Sequence, residues 1–440
     1  MKYNDNTICV LGLGYVGLTL SVTLASIGFN VYGIEIRKKV ISDLKKKKPH
    51  FYEPGLLDAL KKVIKNKKFQ FFDKIPKKWK GNVFIITVGT PLDSNGRSRT
   101  DLIKNVSNEV GIFLKKNDLV ILRSTVKIGT SRNIVAKILK RKVDNFDIAF
   151  CPERTQEGKA LTEVRNIPQI IGGINNSSAR RAKKIFKKIT KDVLIVSTLE
   201  TAEMVKLVDN SQRDVYFSYA NEIAQICDAL NINALEVIEK GKYNYSRTNL
   251  AKPGPVGGPC LIKDTYILKE SLYGKECLPN IALAARKINE NLPREIIKQL
   301  KNKFVKKNNK KVKKIGLLGL AFKGDPPTDD VRDSMSLKFH NEIKKIFPKA
   351  TVVIYDKLVK KIDFKMHKIK RANTLEDCFF NSDLILILNN HQIFKKMKLN
   401  SLSNKMNDQG IIYDCWNLFD RKIVKLRKDI AYFGFGNSNT

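Results

Sequence analysis

Histidine is scarce in this chain: His50, His340, His367 and His391 are all that 440 residues hold, and no two share ligand spacing. That argues against a histidine-built metal site and against chemistry centred on a histidine base. The seven cysteines (Cys9, Cys151, Cys227, Cys260, Cys277, Cys378 and Cys415) are scattered, and none forms a C-x-x-C pair. Neither a disulfide framework nor a zinc site follows from them. No apolar run is long enough to span a bilayer, and Met1–Asn6 leads into an apolar strand without a signal-peptide pattern. A cytoplasmic protein with no membrane partner is the expectation. Acidic residues are few: 43 against 82 Lys and Arg, a formal charge of +39. The excess is mostly lysine spread along the chain, as at Lys45–Lys48, Lys61-Lys62, Lys183-Lys184 and Lys310-Lys311. It reads as a solvated surface with no nucleic-acid partner, and its positive field would attract an anionic substrate.

What is present is enough apolar residue, 42%, for a sizeable core, and a length that calls for two or three domains. Residues 7–14 read as a buried strand, 16–27 as a helix stopped by Gly28, and 30–35 as a second strand, together a β-α-β unit. Further apolar strands are expected at 83–88, 119–122 and 147–150. The architecture this implies is α/β, with a parallel doubly wound sheet. From Glu200 to about Leu230 the pattern is one long helix, and helices continue to about Phe304. The polar run 306–314 reads as a linker. A second strand-turn pattern opens at Ile315, with later strands at 351–355, 384–388 and 411–413. The chain is thus expected to hold two Rossmann-like doubly wound domains, at 1–198 and 306–440, joined by a central helical domain at 199–305. The two α/β domains have the look of a distant duplication.

Gly12-Leu13-Gly14-Tyr15-Val16-Gly17 is G-x-G-x-x-G set between a strand and a helix. Its glycines serve a tight turn, close approach of a pyrophosphate to the backbone, and close helix–strand packing. The helix N-terminus presents unpaired N–H groups to phosphate. Glu35, at the end of the second strand, is placed to accept the adenosine ribose hydroxyls and to repel a 2′-phosphate, so NAD is favoured over NADP. Arg37 lies beside it.

The remaining motifs come in a fixed order: Val88-Gly89-Thr90-Pro91; Arg123-Ser124-Thr125-Val126; Cys151-Pro152-Glu153-Arg154-Thr155-Gln156-Glu157-Gly158; and Lys206-Leu207-Val208-Asp209-Asn210. Then follow Pro253-Gly254-Pro255-Val256-Gly257-Gly258-Pro259-Cys260-Leu261-Ile262-Lys263-Asp264 and Leu320-Ala321-Phe322-Lys323-Gly324-Asp325, with Asp330-Val331-Arg332-Asp333-Ser334 after it. In this order they resemble the UDP-glucose/GDP-mannose dehydrogenase family over nearly the whole chain. The resemblance implies an NAD-dependent enzyme that oxidises the C6 alcohol of a nucleotide sugar to the carboxylate with two NAD, and a homodimer formed through the central helices. The forms of the Cys151–Gly158 and Gly257–Asp264 segments put UDP-N-acetylated hexosamines first among substrates, UDP-glucose next and GDP-mannose last.

Chemistry explains why such an enzyme needs a thiol. An aldehyde yields hydride poorly until a thiolate adds to it; the thiohemiacetal then becomes a thioester that water hydrolyses. Cys260 suits this role, following two glycines and a proline, with Lys263 nearby. Cys9, Cys227, Cys277, Cys378 and Cys415 read as small buried hydrophobes. Lys206 and Asn210 are four apart, on one face of the long helix. By resemblance they stabilise the oxyanion at the reacting carbon. Asp264 is implied to activate water or orient Lys206, with Glu157 the other candidate base. Thr125 is expected to hold a water or the nicotinamide. Tyr15, Val16, Thr90, Pro91, Ser124, Lys263 and Arg332 are expected near the cofactor; Glu153, Arg247, Gly257, Gly258 and Lys323 near the substrate. The alternative left open is a single-step oxidoreductase of the 6-phosphogluconate dehydrogenase type, which needs no thioester.

Overall fold

In a computed structural model, residues 5–308, 311–420 and 424–437 are described, and the chain divides into two compact units. The first comprises residues 1–210 and 263–278, the second residues 211–262 and 279–440. The long helix Leu199–Leu230 carries the chain from one to the other.

The first unit is built on an eight-stranded sheet. Its strands are β1 (Thr7–Leu11), β2 (Asn30–Ile34), β3 (Phe69–Phe72), β4 (Val83–Ile86), β5 (Leu119–Leu122), β6 (Asp147–Phe150), β7 (Gln169–Gly173) and β8 (Val193–Val196), in the order 3-2-1-4-5-6-7-8. Every pairing is parallel except β6 with β7, which is antiparallel. The central strands β4, β5 and β6 are buried at every position, as strands covered on both faces must be. One face packs Leu18, Leu20, Val22 and Leu24 of the Tyr15–Ser26 helix onto the strands. The other packs Ile103, Val106 and Val110 of the Asp101–Phe113 helix and Val135 and Leu139 of the following helices.

The second unit carries a six-stranded, all-parallel sheet of β9 (Lys314–Leu318), β10 (Thr351–Tyr355), β11 (Lys370–Arg371), β12 (Leu384–Ile387), β13 (Ile411–Asp414) and β14 (Ala431–Gly434). Its order, 11-10-9-12-13-14, repeats the first sheet's 3-2-1-4-5-6. Each reverses direction beside its first strand, the switch point at which open α/β sheets bind ligands. The likeness extends to hydrogen bonds. Gly12 (φ +92°) donates its N–H to the Ile34 carbonyl at 2.8 Å, and Gly319 (φ +96°) donates to the Tyr355 carbonyl at 2.8 Å. Leu13 N–H goes to Glu35, and Leu320 N–H goes to Asp356. The α/β class, the paired Rossmann-like sheets and the connecting long helix are as the sequence led us to expect.

Three details differ. The antiparallel β7 at the sheet's far side and the short β3, β8, β11 and β14 carried no signal that set them apart. The strand read as 83–88 ends at Ile86, because Thr87 turns away: its N–H bonds the Leu11 carbonyl and its hydroxyl the Gly12 carbonyl. The linker expected over 306–314 is shorter, since the Asn280–Asn308 helix runs through its start and Lys314 already belongs to β9; Asn309 and Lys310 of that run lie outside the described residues.

The first turn tolerates no side chain at Gly17. A Cβ there would sit 1.8 Å from the Gly12 carbonyl oxygen and 2.6 Å from Thr87 Oγ1. Gly17→Ala should therefore lower stability by about 1–3 kcal/mol, read as a fall in the thermal midpoint. An unchanged midpoint would contradict this packing.

Candidate active site

The first unit gathers most of the candidate residues. Gly12 opens the turn after β1, and the Tyr15–Ser26 helix begins at once. A Cβ built on Gly14 meets no atom within 4 Å, so the backbone there is open to a bulky anion, as a pyrophosphate requires. The Glu35 carboxylate, 4% exposed, stands at the end of β2. It accepts the Leu13 N–H at 3.2 Å and a paired grip from Arg37 at 2.7 and 3.0 Å. Burial pushes its pKa up, but the bonds and charge of Arg37 outweigh that, and the group is held below the usual carboxylate range. These residues fit a dinucleotide: an open phosphate cradle with a fixed anion beside the ribose position.

Tyr15 ties this turn to the 151–158 segment. Its hydroxyl accepts the Gly158 N–H at 2.7 Å, and Glu53 accepts the same N–H at 2.7 Å. Glu157, next to it, is half-buried. Glu153 is 8% exposed, and its carboxylate is filled. One oxygen takes the N–H groups of Arg154 and Thr155, both at 2.8 Å; the other pairs with buried Arg123 at 2.6 Å. Burial raises its pKa, but Arg123, the Thr155 N–H and the charge of Lys206 together hold it below the ordinary range. Glu153 therefore shapes its loop from within. The Thr90 hydroxyl bonds the Thr125 carbonyl and the Ser124 hydroxyl the Val88 carbonyl, so the 88–91 and 123–126 loops form one surface; Pro91 is exposed on it.

Lys206 and Asn210 are 9% and 6% exposed. Asn210 Nδ2 donates to Asp264 Oδ2 at 2.5 Å, and Lys263 Nζ to Asp264 Oδ1 at 2.7 Å. The partners of Asp264 are thus Asn210 and Lys263. The ammonium of Lys206 makes no hydrogen bond or ion pair among the described residues. The Leu261–Ser271 helix that carries Asp264 is pinned at its far end, where Glu270 accepts the Ser98 N–H and hydroxyl and pairs with Lys127.

The second unit gathers the rest. Gly258 (φ +93°) donates its N–H to the Asp333 carbonyl at 2.9 Å, and a Cβ on it would strike the Phe322 ring at 2.5 Å. A Cβ on Gly257 would lie 2.7 Å from the same carbonyl. Gly257 and Gly258 are thereby packed against the immediate neighbours of Lys323 and Arg332. Arg332 is paired with Asp330 and its side chain is 60% exposed. Arg247 is exposed, its guanidinium 4.8 Å from the Tyr245 ring centre. Cys260 is exposed and immediately precedes the Leu261–Ser271 helix.

Among the other thiols, Cys9, Cys151, Cys227, Cys378 and Cys415 are buried, and burial pushes Cys151 and Cys378 up to about 12. Cys277, expected to be buried, is exposed, because it lies in the loop between two helices beside Lys275 and Glu276. Sequence reasoning also missed Glu53 and Glu203. Glu203, 1% exposed, lies one turn before Lys206 and accepts the N–H groups of Gly129 and Ser131 at 2.5 and 2.9 Å. It closes the end of the 123–131 loop where a π-helical turn, Ser131–Ala136, begins. The only local hint was an acidic residue within an apolar helical stretch.

Burial pushes the Glu203 carboxyl up to about 7, against the lowering bonds of Ser131 and Gly129. Its folded value exceeds the ordinary 4.5, so the folded chain keeps a proton that the unfolded chain has released. The stability this group contributes is full below about 4.5, falls as pH rises through about 7, and stays lost above. Glu203→Gln carries no such dependence. Relative to the parent it should gain up to about 3 kcal/mol between pH 5 and pH 8, measured as thermal midpoints at both. Equal differences at the two pH values would refute the shift.

Comparison with known proteins agrees with this geometry. Three models of the UDP-glucose/GDP-mannose dehydrogenase family match: its NAD binding domain at residues 6–190, its central domain at 200–291 and its UDP binding domain at 316–421. The UDP-N-acetyl-D-mannosamine dehydrogenase of Methanococcus maripaludis is 32% identical over 433 residues, 96% of each chain. The solved UDP-D-ManNAc dehydrogenase of Pyrococcus horikoshii superposes with a TM-score of 0.87 at 31% identity, covering 99% of this chain and 100% of that one. That of Staphylococcus aureus, a UDP-N-acetyl-mannosamine dehydrogenase, gives 0.83 at 28% identity, covering 98% of each. With the dinucleotide cradle and the Asn210–Asp264–Lys263 cluster in place, this chain is an NAD-dependent nucleotide-sugar dehydrogenase and belongs to the UDP-glucose/GDP-mannose dehydrogenase family.

Proposed function

We propose that this enzyme oxidises the C6 hydroxyl of a UDP-N-acetylhexosamine, with UDP-N-acetylmannosamine first, to the carboxylate through a thioester on Cys260. The observation that carries the reading is the setting of Cys260: exposed, at the start of the helix whose Asp264 bonds Asn210 and Lys263. A helix N-terminus favours negative charge on that sulfur. The names of relatives at 28–32% identity support the choice of sugar.

When bound, NAD accepts the hydride that leaves C6 in each oxidation. The chain's own residues do the rest. Lys206 holds the C6 oxygen with an ammonium that makes no hydrogen bond or ion pair among the described residues. Asn210 spends one N–H on Asp264 and turns the other to the same oxygen. After the first step the Cys260 thiolate adds to the aldehyde carbon, and that oxygen becomes an alkoxide beside Lys206. Departure of the second hydride leaves the thioester. Water then attacks its carbonyl carbon, the C–S bond breaks, and thiolate and carboxylate result. Oxyanion donors of this kind are each worth about 3–4 kcal/mol in acyl chemistry. Both Asp264 oxygens are engaged, so we assign it to positioning Asn210 and Lys263, and give water activation to Glu157.

We further infer a homodimer formed along the long helix. Met204, Val208, Tyr219, Ile226 and Leu230 are 40–62% exposed on it, an apolar stripe that a second copy would cover. We divide the labour as NAD binding in residues 1–198, catalysis and dimerisation in 199–305 and UDP-sugar binding in 306–440.

Wild-type enzyme should form two NADH per sugar with UDP-N-acetylmannosamine, and Cys260→Ala should form no acid. A ratio of one, unchanged in Cys260→Ala, would overturn the thioester. Cys260→Ser should stall at the aldehyde or an ester while still binding NAD. Gly14→Ala should fold normally, because its Cβ meets no protein atom, yet bind NAD about tenfold or more weakly. Undiminished NAD affinity by calorimetry would remove the cradle from the cofactor site.

A further inference from the structure

Four fully buried polar side chains in the second unit take no part in the chemistry above: Asp214 and Asn221 on the long helix, and Arg286 and Asn289 on the Asn280–Asn308 helix, each 0% exposed. They are joined in one line. Arg286 Nη1 donates to Asp214 Oδ1 at 3.1 Å, and Asn289 Nδ2 donates to the same oxygen at 2.8 Å. Asn221 Nδ2 donates to Asn289 Oδ1 at 2.8 Å. Beyond it Asn221 meets the main chain of Gly254 from both sides: Gly254 N–H donates to Asn221 Oδ1 at 2.8 Å, and Asn221 Nδ2 donates to the Gly254 carbonyl at 3.1 Å.

The direction of every bond is forced. Asn289 Nδ2 also donates to the Asp214 main-chain carbonyl at 3.2 Å, and a carbonyl only accepts, so Asn289 must turn its NH2 to Asp214 and its oxygen to Asn221. Asn221 must then present its NH2 to Asn289, which leaves its oxygen for the Gly254 N–H. Flipping either amide sets two donors or two acceptors face to face between fully buried side chains, at a cost of about 1–3 kcal/mol for each unsatisfied group. The loop end of the line is equally constrained. Pro253 and Pro255 have no N–H, so Gly254 holds the single main-chain donor of Pro253-Gly254-Pro255. A Cβ on Gly254 would strike the Trp416 ring at 2.7 Å, so the chain is also pressed in place from outside. Four residues on, Gly258 is tied to the Asp333 carbonyl. The glycine-rich segment before Cys260 is therefore held at both ends, and its first hold is set by a buried charge two residues along a hydrogen-bonded line.

We propose that Asn221 and Asn289 are positioning residues that fix the 253–258 loop in the conformation that takes the nucleoside diphosphate of the substrate. This rests on the loop's Gly257 and Gly258 lying at the substrate, as the resemblance implies, beside the 306–440 segment to which UDP-sugar binding is assigned. The relay touches no reacting atom, and it should act on binding of the nucleotide rather than on the chemical step.

The test uses the full-length enzyme. Asn221→Ala removes the hold on Gly254, and Asn289→Leu severs the line while leaving Gly254 untouched. Asn221→Asp, of unchanged shape, serves if either fails to fold. UDP binding is measured by calorimetry, with KM and kcat for the nucleotide sugar and KM for NAD. The relay predicts UDP affinity weakened about tenfold and KM for the sugar raised in proportion, with kcat and the KM for NAD within about threefold of the parent. Unchanged UDP affinity in variants whose parent binds UDP would overturn the relay and leave the function standing. Equal damage to both substrates would mark the four residues as general core and also overturn it. Failure of the parent to bind UDP would remove the loop's reading as a nucleotide site, and the relay's role with it.

Discussion

A fully buried carboxylate, Asp264, holds together two helices whose bonded residues lie 54 positions apart in sequence. Its price is desolvation, and the hydrogen bonds of Asn210 and Lys263 offset it. What the pair secures is orientation. Asn210 has two N–H groups; with one fixed on Asp264, the direction of the other is determined. Lys206 lies a turn away on the same helix, its ammonium without a hydrogen bond or ion pair among the described residues, while its charge helps hold the buried Glu153 ionised. Under the function proposed above it is the cation that meets the oxyanion at the reacting carbon.

Buried carboxylates also shape loops within each of the two units. Glu35, Glu153, Glu203 and Asp356 are all buried, and each accepts main-chain N–H groups. Loops with functional residues cannot rely on sheet ladders for their shape, yet their N–H groups must be satisfied. A carboxylate at a strand end or inside a helix satisfies several donors at once. For a chain carrying +39, such anions also find nearby cations readily: Arg37 for Glu35 and Arg123 for Glu153. The surface lysines and the inner carboxylates thus answer different needs, solvation outside and loop geometry inside.

This division explains what the sequence made legible. The glycine fingerprint, Glu35 and the long helix were readable because each signal is local: a turn, a strand end, an unbroken helical period. The order of motifs around Cys260, Lys206 and Asn210 was readable by resemblance. Glu53 and Glu203 were not, since their partners, Gly158 and the 129–131 turn, lie 105 and about 70 residues away. The Asn221–Asn289 bond spans 68 residues, and polar residues in helices ordinarily face water. Cys277 misled for the opposite reason: residue type favours burial, but a loop position between two helices exposed it.

The turns after β1 and β9 share one local geometry and put it to different ends. Gly12 and Gly319 share their φ and their bond to the neighbouring strand, and Leu13 and Leu320 share an acidic acceptor. The next position separates them. Gly14 leaves open space where a Cβ would be, whereas the second turn has Ala321, 3% exposed, whose N–H also bonds Asp356. A methyl group and a spent donor close the approach that a pyrophosphate needs. The residue after it, Phe322, instead lies against Gly258, where any side chain on that glycine would collide with its ring. The second turn therefore offers no phosphate cradle, and its Phe322 packs under the glycine-rich loop before Cys260. On that ground the cofactor belongs to the first sheet, and the second sheet's turn serves instead to shape the glycine-rich loop that, under the function proposed above, precedes the nucleophile.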